Sequence, residues 1–396
     1  MQARTMRHRR TAAIGAGLGI AALALSACGT SGGGAQATGP AEELGDTEGG
    51  SVSILAWPGY VEDGTNDPAV DWVTPFEEAT GCSVTSQTYG TSDEAFNLMG
   101  DGGFDVVAAS GDLTLRLIAS DAVQQLNTDL LDSYDAIFPF LKEQEWNSVD
   151  GDVYGIPHGY GANLLAYNTD VFPEAPTSWS VVFDDAAANS GAITAYDSPI
   201  YIADAAVYLM THEPDLGIEN PYSLDEEQLA AAVALLDEQR QHIGEYWSDY
   251  LLELQGLEAG SIVAGTTWQV IINSLAEGTP VAATLPEEGA TGWSDSWMIS
   301  SATEQTPCAY AWLDWIASPE GNAMATEYFG EAPNNPDACD LTQDPGHCEA
   351  YHAGDEEYAS QIYYWTTPIA ECLDGRTDVE CTDYADWTEA WQQIQG

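Results

Sequence analysis

Val52-Ser53-Ile54-Leu55-Ala56-Trp57 is a short β-rich run that stops at Pro58-Gly59, and so reads as a strand feeding a turn. Asp71 to Thr80 (DWVTPFEEAT) then carries helical spacing and ends at Gly81, and Cys82 to Tyr89 alternates as a second strand. Ser92 to Met99 reads as a helix with Asp93 near its start, and Phe104 to Ala109 (FDVVAA) is an apolar strand. Strand, helix, strand, helix, strand predicts an α/β fold with a parallel sheet. In such sheets ligands sit beyond the carboxyl ends of the strands, here Trp57 to Tyr60, Tyr89 to Ser92 and Ser110 to Asp112.

A second α/β block follows. Tyr154 to Gly161 is a glycine- and aromatic-rich crossing, after which Leu164 to Asn168 forms a strand. Gly191 to Tyr196 (GAITAY) is a strand running into Asp197-Ser198-Pro199 and the helix Ile202 to Met210. Leu229 to Arg240 has helical spacing, and the strand Ser261 to Thr267 precedes the helix Trp268 to Ala276. Val281 to Leu285 and Ser296 to Ser300 are strands, Tyr310 to Ile316 starts a helix, and the amphipathic Tyr384 to Ile394 closes the chain. No repeat is visible. The crossings predict one lobe of 51–161 plus 293–338 and another of 162–292 plus 339–396.

The N-terminus reads as an export signal. A basic start (Arg4, Arg7, Arg9, Arg10) leads into the apolar run Thr11 to Ala27, which is short and broken by glycine for a membrane span. Leu25-Ser26-Ala27-Cys28 resembles the bacterial lipobox, so residues 1–27 are expected to be removed and Cys28 to be lipidated. The alternative is an ordinary signal peptide with an incidental cysteine. Arg9-Arg10 suggests twin-arginine export, but nothing downstream completes that motif. Residues 28–50, rich in Gly, Ser, Thr, Ala and acids, have little to bury and are expected to form a flexible tether. The working location is therefore the outer face of the cytoplasmic membrane.

The remaining body of about 345 residues suits two lobes, and 13 Trp with 19 Tyr supply a packed interior. Charge is the outlier. Four of the eight Lys and Arg precede Cys28 while all 64 acids follow it, which leaves about −60 on the rest of the chain. Such a surface suits a salt-tolerant exported protein, draws in cations, and excludes nucleic acid and other polyanions as partners.

Beyond Cys28 there are six cysteines, an even number that reads as disulfides in an exported chain. They allow 15 connectivities. Equal short gaps favour Cys339–Cys348 and Cys372–Cys381, which leaves Cys82 with Cys308. A zinc site from Cys339, Cys348, His347 and His352 is the alternative, without paired CxxC spacing.

Several segments fall in one order: Ala56-Trp57-Pro58-Gly59-Tyr60, Gln87 to Glu94 (QTYGTSDE), Phe104-Asp105-Val106-Val107, Tyr154-Gly155-Ile156-Pro157, Thr177-Ser178-Trp179, Leu285 to Gly289 (LPEEG) and Gly292-Trp293-Ser294-Asp295-Ser296. In order and spacing, from about Val52 to Gly396, the chain resembles the spermidine/putrescine-type substrate-binding lipoproteins of ABC transporters. The resemblance implies a two-lobed, type II periplasmic-binding-protein fold. Its lobes would close on a polyamine and deliver it, as a monomer without cofactor or metal, to membrane permease subunits. It also implies that Trp57 and Tyr60 line the cleft with Ser110, that Asp197 serves from the second lobe, and that Trp293 stacks on a ligand whose amine pairs with Asp295. Rings and carboxylates suit a chain of ammonium groups joined by methylenes.

Three departures bear on the ligand. Ile200 stands where the family has a glutamate; Asp112 stands where it has an aromatic; and its ligand-facing tryptophan aligns with Thr266 or Thr267, with Trp268 just beyond. Asp112 is thus expected to replace the lost acid. In Tyr363 to Pro368, Trp365 or Thr366 is expected to supply a last contact. Another small cationic or zwitterionic solute stays open. Catalysis is not expected: no GxSxG elbow, HExxH helix, Walker loop or dinucleotide glycine loop occurs, and His158 beside Tyr160 lacks a nucleophile.

Overall fold

The first block forms element by element as its pattern predicts, in a computed structural model that describes residues 40–396. The export signal and Cys28 lie outside the described residues. Strand β1 (Ser51–Ala56) lies between β2 (Ser83–Thr88) and β3 (Val106–Ala109), parallel to both. Helix α1 (Val73–Thr80) stops at Gly81, whose left-handed φ of 74° lets its N–H reach back to the Glu77 carbonyl. Helix α2 (Ser92–Asp101) opens on Thr91, whose side chain accepts from Glu94 N, with Asp93 and Glu94 placed well for the helix dipole. Helix α3 (Gly111–Ala119), unread in the sequence, begins directly after Ser110.

Two later strands complete the first sheet. Its order is β2-β1-β3-β13-β6, with β13 (Ser296–Ile299) antiparallel to both β3 and β6 (Gly155–Pro157). Helices α8 (Thr306–Ala317) and α9 (Pro319–Phe329) belong to this lobe, α8 packing on β1 and β13. A small hairpin pairs β4 (Ser148–Val149) with β5 (Asp152–Val153). Phe76, Trp297 and Trp312 are fully buried here and anchor the core.

The second sheet is organised on β7 (Gly159–Asn168). On one side come β10 (Ala264–Trp268), antiparallel to β7, then β8 (Ile193–Tyr196) and β9 (Ile243–Trp247), parallel to one another and to β10. On the other come β12 (Ala290–Trp293), antiparallel to β7, and β15 (Ile362–Tyr364), parallel to β12. β11 (Val281–Thr284) and β14 (Ala332–Pro333) also pair with β7. This lobe carries α4 (Ile202–His212), α5 (Glu226–Arg240), α6 (Tyr250–Glu258), α7 (Gln269–Ser274) and α12 (Tyr384–Gln395). Short α10 (His347–Ala350) and α11 (Glu356–Ala359) lie on the return.

The chain crosses between the two sheets three times: at His158 from β6 to β7, at Ser294-Asp295 from β12 to β13, and at Gly330-Glu331 from α9 to β14. The first crossing precedes the expected boundary at 161, because β7 already starts at Gly159. The third precedes 338: Ala332 and Pro333 pair with β7, although the turn Pro336–Asp340 still packs on α9.

The six cysteines pair as Cys82–Cys308, Cys339–Cys348 and Cys372–Cys381. Cys339 and Cys348 are thus not thiolates, and no cluster suited to a metal ion occurs among the described residues, which removes the zinc alternative. No helix among the described residues is long and apolar enough to cross a membrane.

Candidate ligand-binding cleft

Strand ends from both sheets converge on one cavity of about 420 Å³. In the first lobe, Trp57 follows β1, Tyr89 and Gly90 follow β2, and Ser110 follows β3. In the second, Tyr196 ends β8, Ser248 and Asp249 follow β9, Trp268 ends β10, Trp293 ends β12 and Trp365 follows β15. Tyr60 and Phe329 complete the first-lobe wall, and Asp295 reaches in from the second crossing. The cavity is thus an aromatic chamber at the carboxyl ends of parallel strands, the place such sheets reserve for ligands.

Polar contacts fix the rings. Trp57 Nε1 donates to Ser110 Oγ at 3.0 Å, Trp268 Nε1 to Asn163 Oδ1 at 2.9 Å, and Trp293 Nε1 to Glu331 Oε2 at 3.2 Å. Trp293 lies against bare backbone: a Cβ on Gly161 would come within 2.3 Å of the indole, so only glycine leaves the ring its place. Tyr196 stacks on Trp365 at 5.6 Å, and Trp268 sits 5.2 Å from Trp293, so the second-lobe rings support one another.

Asp295 is the only buried carboxylate on the wall. Tyr60 donates its hydroxyl to Oδ2 at 3.0 Å, while Oδ1 has no partner. Burial pushes the acid up to about 7, against the neighbouring Ser110 hydroxyl and the Tyr60 hydrogen bond, which favour the charged form. A buried carboxylate with one vacant acceptor, ringed by aromatic faces, is suited chemically to a donor that also carries positive charge.

Seven residues singled out in the sequence therefore meet here: Trp57, Tyr60, Ser110, Trp268, Trp293, Asp295 and Trp365. Two do not. Asp112 is the second residue of α3, and its carboxylate turns into the protein to accept from Ser92 Oγ at 2.8 Å and Tyr384 OH at 3.3 Å. It cannot replace the acid missing at Ile200, which is itself buried in the core. Asp197 is exposed, and its Oδ1 accepts from Trp391 Nε1 and Gln395 Nε2 of α12. Thr366 is also off the wall, its hydroxyl donating to the Tyr364 carbonyl. Tyr196 and Phe329 were not singled out. Tyr196 obeys the same strand-end rule as Trp57, whereas Phe329 and the Glu331 behind Trp293 carry no local signal.

Two α/β lobes facing one aromatic chamber with a single buried carboxylate have the form of a solute-binding protein. Residues 71–348 match the family model for the bacterial extracellular solute-binding proteins, and the chain belongs to that family. It is accordingly an exported binding protein and not an enzyme. Among relatives, it is 24% identical over 298 residues to a putrescine/agmatine-binding protein of Pseudomonas aeruginosa, covering 69% of this chain and 78% of that protein. It is 21% identical over 307 residues to the putrescine-binding periplasmic protein PotF of Escherichia coli, covering 74% and 80%. Among solved structures, a putative spermidine/putrescine ABC transporter from Listeria monocytogenes superposes with a TM-score of 0.68 at 18% identity, covering 87% of this chain and 98% of that one. The Tp0655 lipoprotein of Treponema pallidum gives 0.68 at 16% identity, over 87% and 99%.

Proposed function

We propose that this protein captures a putrescine- or spermidine-like polyamine between its lobes and presents it to ABC permease subunits, acting as a monomer held to the membrane by lipid on Cys28. The names of its relatives support the ligand class. The observation that carries it is Asp295: a buried carboxylate with a vacant oxygen, walled by Trp57, Tyr60, Trp268 and Trp293. An ammonium group on Oδ1 supplies the missing donor and countercharge, and the rings cover the methylenes. The bodies that close are read as 51–161 with 293–338 and 162–292 with 339–396, their boundaries moved to the crossings at His158, Ser294-Asp295 and Gly330-Glu331.

One observation favours a second reading, a short cation or a zwitterion. Beyond Asp295 the wall offers only Asp249, which is exposed and whose Oδ1 caps α6, so a long polyamine lacks a second buried counter-charge. The Trp365 indole N–H is buried without a partner, and an acceptor on the ligand would use it. Calorimetric titration with putrescine, spermidine, spermine, thiamine and glycine betaine decides between them. The polyamine reading expects a 1:1 complex with an amine, weakened by Asp295→Ala on the order of 30-fold to several-thousand-fold, as for one partner of a buried charge pair. A wild type that ignores every amine, or an Asp295→Ala variant that binds them equally well, overturns it.

A further inference from the structure

All three interlobe crossings meet at one side chain that does not line the cavity. Glu331 stands in the third crossing, 1% exposed. Its Oε2 accepts from Nε1 of Trp293, at the edge of the second crossing. Its Oε1 lies 3.3 Å from Nε2 of His158, the residue of the first crossing, and neither atom has a hydrogen-bond partner. The first crossing is shaped around this carboxyl and the backbone beside it, since a Cβ on Gly159 would come within 2.7 Å of both the carboxyl carbon and the Ala332 carbonyl oxygen.

The hydrogens can be assigned from the donors. Trp297 Nε1 can only donate, and it donates to His158 Nδ1 at 3.0 Å, so that nitrogen is bare and the ring is neutral with its hydrogen on Nε2. Burial agrees, pushing the imidazole down to about 3. That Nε2–H and Oε1 face each other at 3.3 Å without hydrogen-bond geometry, so a charge on Oε1 would gain no bound donor from the ring. Among the described residues, the groups around Glu331 include no cation. They are neutral His158, Asp295 of the second crossing, Tyr60, Tyr351, and His347, whose Nε2 meets the Glu331 carbonyl oxygen at 2.9 Å and whose pKa burial lowers. Burial, then the charge of Asp295, raises the Glu331 carboxyl well above the usual range.

We propose that Glu331 is a positioning residue, an uncharged carboxyl that clamps the Trp293 indole to the crossing segments and leaves Asp295 as the one anion facing the ligand. This rests on the cation-binding reading of the cavity. Glu331→Gln keeps an acceptor for Trp293 and removes only the titration. It is expected to bind putrescine within about threefold of wild type and to keep the wild-type dependence of affinity on pH. Glu331→Leu removes the acceptor and is expected to lose about tenfold or more. Gly159→Ala, which drives a methyl against the carboxyl and the Ala332 carbonyl oxygen without touching the cavity, is expected to do the same and is read together with the circular dichroism band below if the leucine variant does not fold. A loss beyond tenfold in Glu331→Gln, or an altered pH profile, makes Glu331 a ligand charge and overturns the proposal; so does wild-type affinity in both Glu331→Leu and Gly159→Ala. Ligand-free protein gives an independent readout, the near-ultraviolet circular dichroism band defined by the difference from Trp293→Phe. It is kept in Glu331→Gln and lost in the other two. If wild type takes no putrescine, only the cation reading fails, and this band still tests the clamp: its loss in Glu331→Gln overturns it.

Discussion

Asp295 holds its proton near neutrality because burial in the protein disfavours its charged form, and an arriving ammonium reverses that preference. The free carboxyl sits at about 7, and a cation beside Oδ1 favours the charged form, so capture expels a proton wherever the acid was protonated. The sign follows. Affinity for putrescine should fall by about tenfold per pH unit below 7 and level off above it, until the amine itself deprotonates near ~10. Titration in buffers of different ionisation enthalpy should show about half a proton released at pH 7. Asp295→Asn should bind weakly at every pH and release none; a proton release that survives in this variant would assign the titration elsewhere. Gly161 acts on the same site through space alone. Gly161→Ala places a methyl within 2.3 Å of the Trp293 ring, so the indole must move, and putrescine affinity should drop by about tenfold or more while the variant stays folded. Unchanged affinity would mean that Trp293 does not shape the pocket.

At the scale of elements, strand ends were the legible part of the site. Trp57 and Ser110 are legible from sequence because β1 and β3 announce themselves by composition and stop at the cavity, whereas β12 carries no strand pattern of its own and Trp293 came only with the family resemblance. Asp112 misled for the same reason. It follows the end of β3 closely, but Ser110 already stands at the N-cap position of α3, and two further steps into the helix turn a side chain away from the strand axis. Asp197 follows Tyr196 immediately, and neighbours at a strand end point to opposite faces, so the tyrosine takes the cavity and the acid takes solvent and α12. Phe329 and Glu331 were illegible because α9 comes from far along the chain and only the third crossing brings its end to the cleft. The disulfides were legible from spacing, and they differ in what they hold. Cys82–Cys308 joins the lead into β2 to α8 across 226 residues, whereas the other two close loops of 9. Closing a longer loop constrains the unfolded chain more, so Cys82→Ala with Cys308→Ala should cost on the order of 4–5 kcal/mol and each short bridge about 2–3 kcal/mol. Urea unfolding of the three double variants tests the order, and a larger loss from either short bridge would show that native strain, not chain entropy, sets it.

The whole molecule carries its charge almost unopposed. Of the four basic residues after Cys28, Arg116 pairs with Asp93 and lies over the Phe96 and Tyr384 rings, and Arg376 is held by Asp225 and Asp374. The remaining acids make a negative field around a cleft whose own buried anion is single. Field and site should therefore act on different rate constants. A cationic ligand is steered from a distance through solvent, where salt screens over about 10 Å at 0.1 M and 3 Å at 1 M, while the contact with Asp295 is made inside protein and screened far less. Raising sodium chloride from about 20 mM to 1 M should slow association of putrescine by about tenfold or more and leave dissociation within about twofold. Spermidine, with one more charge, should show the steeper dependence. Stopped-flow tryptophan fluorescence on wild type measures both rates. If salt acts chiefly on dissociation, the ligand is being held by exposed acids such as Asp249 rather than by Asp295, and if neither rate moves, the ligand taken up by this cleft is not a cation.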